Sequence, residues 1–232
     1  MVLPLSLDKL VYLHIGRRLE DYVYLCNSNA IKQLNPIKDL GVLFSDNLSF
    51  RLHYEYMCKK ANAVCALIFR VFESRDAAFL MSLFNMYVRP ILEYASPVWS
   101  PHLKSDIAMI ERVQRVFTKR IPSLRNMSYV DRLNAVNCRT LEHRRLYIDL
   151  VLLYKIVHGL IAVTLSDIGI SPACEKQGLR NYGIGLNADR PASSSSLYGF
   201  AYRSVRVYNT LPKHILLSSL SVFKKYCYHM GH

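Results

Sequence analysis

Acidic residues are scarce in this chain. It has 17 Asp and Glu against 30 Lys and Arg over 232 residues, a formal net charge of +13. A surplus of that size points to an acidic partner, either nucleic acid or an anionic membrane. Long apolar runs are missing too. The longest, Leu150 to Tyr154, is interrupted by Lys155, and no segment approaches the roughly 20 apolar residues that span a bilayer. No helical pattern joins a Lys/Arg face to an exposed Trp/Phe/Leu face, which argues against a membrane-surface helix. The six cysteines include no Cys-x-x-Cys pair and no Cys/His cluster at finger spacing, which excludes a structural zinc site of that kind. Cys58 and Cys65 fall in an apolar helical pattern that suits buried free thiols and a reducing compartment. The opening Met1 to Leu5 is soon broken by Asp8 and Lys9 and does not read as a signal peptide. The expected location is intracellular, nuclear or cytoplasmic, and not secreted.

Catalytic motifs are equally scarce. No Gly-rich phosphate loop, dinucleotide fingerprint, nucleophile elbow or His-Glu-x-x-His helix occurs. The eight histidines do not cluster, and the one adjacent acidic pair, Glu20-Asp21, reads as a solvated turn. Two-metal nucleotidyl transfer needs carboxylates that share ions about 3.5–4 Å apart, and no such pair is visible. The expectation is therefore no catalytic residue, no metal ligand and no cofactor bound by this chain.

What the sequence does contain is helical periodicity behind a short β-rich beginning. Leu10 to Ile15, Tyr22 to Leu25 and Lys38 to Phe44 read as strands of one small antiparallel sheet, with Gly41 marking a bulge. Helices are expected over Phe50 to Phe72, from Asp76 through Tyr87, over Lys104 to Arg120, from Tyr129 to Val136, and from Leu141 to His158 before Gly159. Pro97 and Pro101 around Trp99, the single tryptophan, predict an extended or turned segment with the indole as a packing anchor. Residues 161 to 187 carry little periodicity, and Ser193 to Ser196 is low in complexity. Short helices follow over Phe200 to Tyr208 and Val222 to His229. The expected fold is α+β and mostly α. A small sheet occupies 1–48, a helical domain 49–160, and a Gly/Ser-rich linker with short C-terminal helices 161–232.

The positive charge is localised. Between Lys104 and Arg145 ten Lys and Arg stand against four acids. Ile107, Ile110, Val113, Phe117 and Ile121 share one face of a helix, which leaves Arg112, Arg115, Lys119 and Arg120 mostly on another. With Arg125, Arg144 and Arg145 these form the candidate polyanion-binding set. Arg115 with Glu111 and Arg145 with Glu142 are candidate local helix pairs.

Several runs also carry a resemblance. Arg89-Pro90-Ile91-Leu92-Glu93-Tyr94-Ala95, Val98-Trp99-Ser100-Pro101 and Ile110-Glu111-Arg112-Val113-Gln114-Arg115 resemble the region downstream of the catalytic core in reverse transcriptases of non-LTR, LINE-like and jockey-type retrotransposons. Leu3 to Lys9 with Leu13-His14-Ile15-Gly16 resembles the segment after the family's Asp-Asp turn, with Leu10 where the family has Cys. Lys38 to Phe44 is similar to the strand after the palm, near the primer-gripping hairpin. Tyr208-Asn209-Thr210-Leu211-Pro212 is similar to the family's closing Trp-Asn-x-Leu-Pro. The likeness extends over nearly the whole chain.

The resemblance implies a palm-end sheet remnant, a helical thumb-like bundle and an irregular extension. The catalytic aspartates of the RNA-directed DNA polymerase, and the Mg it needs, would belong to a region before Met1. Lys9 would lie near the incoming nucleotide's phosphates and Asp39 to Phe44 near the primer end. The implied partners are a template–primer RNA/DNA duplex and the missing palm and fingers, with no membrane. The alternative expectation is a decayed or domesticated helical protein-interaction module with no activity.

Overall fold

Apolar residues at three- and four-residue spacing carry most of this chain into helix, and its strands are two or three residues long. The computed structural model describes residues 10–16, 22–173, 185–189 and 198–230. The chain divides into two units, Met1–Met57 and Cys58–His232. It is α+β and mostly α. Among the described residues no helix is long and apolar enough to cross a membrane.

In the first unit the expected single antiparallel sheet is instead three separate ladders. Strand β1 (Val11–Tyr12) pairs with β4 (Lys32–Gln33) in parallel, while β2 (Leu25–Cys26) and β3 (Asn29–Ala30) form an antiparallel pair. Strands β5 (Ile37–Asp39) and β6 (Val42–Phe44) make the third ladder, also antiparallel. The expected strand Lys38 to Phe44 is therefore a tight hairpin. Leu40 and Gly41 both take positive φ, 43° and 89°, as a two-residue turn matched to strand twist requires. Leu40 is 83% exposed at the tip. The Leu43 N–H donates to His53 Nδ1 at 3.4 Å, and Phe44 meets Phe50 edge-on at 5.7 Å. These contacts seat the hairpin on the start of helix α1 (Arg51–Val71).

The second unit holds the rest of α1 and the following helices. Helix α2 (Ala77–Leu83) starts at Asp76, whose Oδ1 accepts from the Phe79 N–H at 2.7 Å. A π turn over Phe84–Val88 leads into α3 (Arg89–Glu93), with Pro90 in its first turn, where a missing N–H costs nothing. Ala95 then adopts the left-handed region and α4 (Ser96–Trp99) follows. Of the extended or turned segment expected around Trp99, the turn is present at Tyr94 and Ala95, and Ser96–Trp99 is a short helix. Pro97 starts a short helix here and does not break one, because its fixed φ suits the first helical turn.

Helix α5 (Lys104–Lys119) comes next. Helices α6 (Tyr129–Ala135) and α7 (Leu141–Val157) are capped by the Ser128 and Thr140 side chains, and Gly159 closes α7 in the left-handed region. Strands β7 (Ile170–Pro172) and β8 (Leu186–Ala188) pair antiparallel. Helices α8 (Phe200–Tyr208), α9 (Lys213–Leu216) and α10 (Leu220–His229) complete the described chain.

The described residues among 161 to 232, a range expected as a linker with short helices, belong to the same compact unit as the helices before them. One reason is apolar. Leu150, Leu153 and Tyr154 of α7 share a buried cluster with Val205, Tyr208, Leu211, Ile215, Phe223 and Cys227. Nearer α5, Phe117 lies 4.9 Å from Phe69 and 4.8 Å from Phe84 between ring centroids. Trp99 is 1% exposed and donates its Nε1–H to the Tyr94 carbonyl at 2.8 Å.

Candidate nucleic-acid interface

Helix α5 owes its orientation to a polar network on its inner face as much as to its apolar stripe. Glu111 is buried. Its Oε2 accepts from the Leu141 N–H at 2.9 Å, and its Oε1 accepts from the Tyr129 hydroxyl. Gln114 Nε2 donates to the Tyr129 hydroxyl at 3.1 Å and to the Arg139 carbonyl at 2.9 Å. Thr118 accepts from Arg132 Nε at 3.1 Å. The helix is thus locked to α6 and to the start of α7 by satisfied buried groups. Burial pushes the Glu111 carboxyl above its usual range, and burial followed by the charge of Glu111 pushes the Tyr129 hydroxyl upward as well.

With that face fixed, Arg112, Arg115, Lys119 and Arg120 are exposed on the other, and Arg125 is exposed in the turn that follows. Three of them fall at spacings of three and four, 112, 115 and 119, and so form one stripe. Arg115 lies over the Tyr129 ring at 4.6 Å and Arg120 over the Phe69 ring at 4.1 Å, distances at which a cation is held by the ring face. The expected Arg115–Glu111 pair does not form, because Glu111 turns inward. None of these five cations has a carboxylate partner among the described residues.

The end of this face is concave. Phe69, Arg75, Lys119, Arg120, Pro122 and Arg125 line a pocket of about 370 Å³. Arg75 is a residue that sequence reasoning misses. It stands in the connection between α1 and α2, where periodicity gives no signal. Its guanidinium is fixed by the carbonyls of Phe69, Phe72, Glu73 and Ser74.

Two of the expected cations do not belong to the face. Arg145 is only 2% exposed, with its charge acting on the buried Glu111 and Asp149. Arg144 is engaged by Glu93, with Nη2 to Oε2 at 2.9 Å. Both sit on α7, which packs against α3, α4, α5, α8 and α10, leaving these positions little access to solvent. Lys9 lies outside the described residues.

Burial pushes the Cys58 and Cys65 thiols up to about 11 and about 12, which makes them poor nucleophiles. Among the described residues no group of three or more His, Cys, Asp or Glu is placed to hold a metal ion. The exposed cations can bind anions, and the stripe-and-pocket layout suits an extended polyanion.

No family model matches the chain, and no solved structure matches it. A Caenorhabditis elegans protein described as "Uncharacterized protein B0403.1" is 29% identical to it over 128 residues. That stretch is 54% of this chain and 65% of the relative, so the chain spans less than two thirds of the relative's length.

Proposed function

We propose that this chain is the post-catalytic, thumb-like part of a non-LTR retrotransposon reverse transcriptase. In this reading it grips a template–primer duplex through phosphate contacts and carries no catalytic aspartate of its own. The observation that carries the reading is the exposed cationic stripe Arg112–Arg115–Lys119, which runs into Arg120 and Arg125 without a carboxylate partner among the described residues. Contacts of this kind give affinity and salt dependence with little sequence preference. Asp39 to Phe44, for which the resemblance implies a primer-end contact, falls within the tight hairpin Ile37–Phe44.

Arg115→Gln and Lys119→Gln test the grip. Each is expected to weaken binding of an RNA/DNA template–primer duplex across different sequences and to flatten the dependence of log K on log salt by about one unit. Unchanged slopes in both variants would contradict the assignment.

One observation favours a second reading, a helical protein-interaction module without activity. Met86, Tyr87, Tyr94 and Val98 are exposed by 62%, 52%, 59% and 51%, apolar surface that a protein partner could cover. Duplex binding by the parent chain that is lost in the cation variants would decide for the nucleic-acid reading. Duplex binding absent from the folded chain would decide for the module.

A further inference from the structure

We infer that the pocket bounded by Phe69, Arg75, Lys119, Arg120, Pro122 and Arg125 seats a phosphomonoester dianion, the terminal phosphate of a nucleic-acid strand. The inference rests on the duplex-grip reading and adds to it a distinct seat for a strand end.

The pocket draws on separate segments. Phe69 comes from the last turns of α1, Arg75 from the α1–α2 connection, Lys119 and Arg120 from the end of α5, and Pro122 and Arg125 from the next turn. Its described lining contains four cations and no carboxylate. Like charges gathered in this way repel one another unless an anion sits among them. Arg75 is partly answered by the carbonyls at the end of α1, and taken alone it would be only a helix cap. Lys119 and Arg125 have no such answer among the described residues, and Arg120 has only the ring of Phe69.

Two guanidinium groups are held before any ligand arrives, Arg75 by backbone carbonyls and Arg120 by the ring at 4.1 Å. Such preorganisation lowers the ordering cost of binding. Planar guanidinium groups also match phosphate oxygens in a paired geometry.

The concentration of charge selects the ligand. An internal phosphodiester carries one negative charge. A monoester carries about −1.5 to −2 at pH 7, since its second pKa is about 6. The exposed stripe Arg112–Arg115 suits diesters along a strand, while a concave site with four cations favours the dianion. The volume of about 370 Å³ lies within the range of roughly 300–1,000 Å³ typical of small-ligand sites, which leaves room for the attached sugar.

The test compares the full chain's affinity for one template–primer duplex made with 5′-phosphate, 3′-phosphate or only hydroxyl ends, with inorganic phosphate as a competitor. One phosphorylated end is expected to bind about tenfold tighter than the hydroxyl form, the worth of one additional charge-assisted hydrogen bond. The increment should shrink as pH falls below about 6, and millimolar inorganic phosphate should erase it. Arg125→Gln should abolish the increment. Arg112→Gln, on the same helix as Lys119 but outside the pocket, should lower both affinities and keep their ratio. Equal affinities for all end forms, with steep salt dependence retained, would overturn the seat and leave the grip standing. An increment that survives Arg125→Gln would also overturn it. Absence of binding to every form would overturn both.

Discussion

Trp99→Ala is expected to destabilise the second unit by about 3–5 kcal/mol, the range for truncating a fully buried large aromatic. Trp99 is 1% exposed, so truncation leaves a cavity that close-packed neighbours fill only in part. It also removes the indole N–H that donates to the Tyr94 carbonyl at 2.8 Å. That bond spans the left-handed turn at Ala95 and fixes α4 against the end of α3. Trp99→Phe keeps most of the ring and loses the donor, so about 1–3 kcal/mol is expected for the lost bond. Trp99 is the single tryptophan, so its variants are followed by circular dichroism in urea and not by fluorescence. Midpoints of both variants within error of the parent would show that the indole is not an anchor.

Arg203→Ala is expected to cost a similar amount, about 3–5 kcal/mol, for an electrostatic reason. Arg203 Nε lies 2.7 Å from Asp149 Oδ2 and Nη2 lies 3.2 Å from Oδ1, with side chains 20% and 2% exposed. The same guanidinium donates to the Pro97 and Tyr198 carbonyls, tying α8 to α7 and α4. Removing it leaves Asp149 buried without the guanidinium that hydrogen-bonds both its carboxylate oxygens. Burial already pushes the Asp149 carboxyl above its ordinary 3.8, against the opposing pull of Arg203. A carboxyl raised on folding lends stability that is fully present below its unfolded pKa and is lost as pH rises through the folded value. Without Arg203 the rise grows, so the variant's deficit should be smaller near pH 4 than at pH 7. Pairing Asp149→Leu with Arg203→Met should recover much of the loss, since an apolar pair carries no desolvation cost. Urea denaturation at the two pH values measures this, and a deficit independent of pH would contradict it.

Helices are legible in the sequence where one face is apolar and a polar side chain marks the start. Asp76, Ser128 and Thr140 act as caps at the starts of α2, α6 and α7. The stripe on α5 is legible for the same reason, since a helix with one buried face leaves Arg112, Arg115 and Lys119 outside. Arg144 and Arg145 mislead because α7 packs on several sides, so spacing does not tell the core from the surface. The turn at Leu40-Gly41 is hidden because a leucine at positive φ is a rare choice that propensity argues against. Helix α4 is hidden because Pro97 can either end one segment or start another, and only packing of Trp99 decides. Arg75 enters the pocket through bonds to backbone carbonyls, which no side-chain pattern announces.

The most direct measurement is the affinity of the folded chain for an RNA/DNA template–primer duplex from low to moderate salt. Five exposed cations, Arg112, Arg115, Lys119, Arg120 and Arg125, make up the proposed grip. If three to five of them meet phosphates, log K should fall against log salt with a slope of about −3 to −4.5. A sample shown to be folded by circular dichroism that binds without salt dependence, or does not bind at all, would contradict the grip.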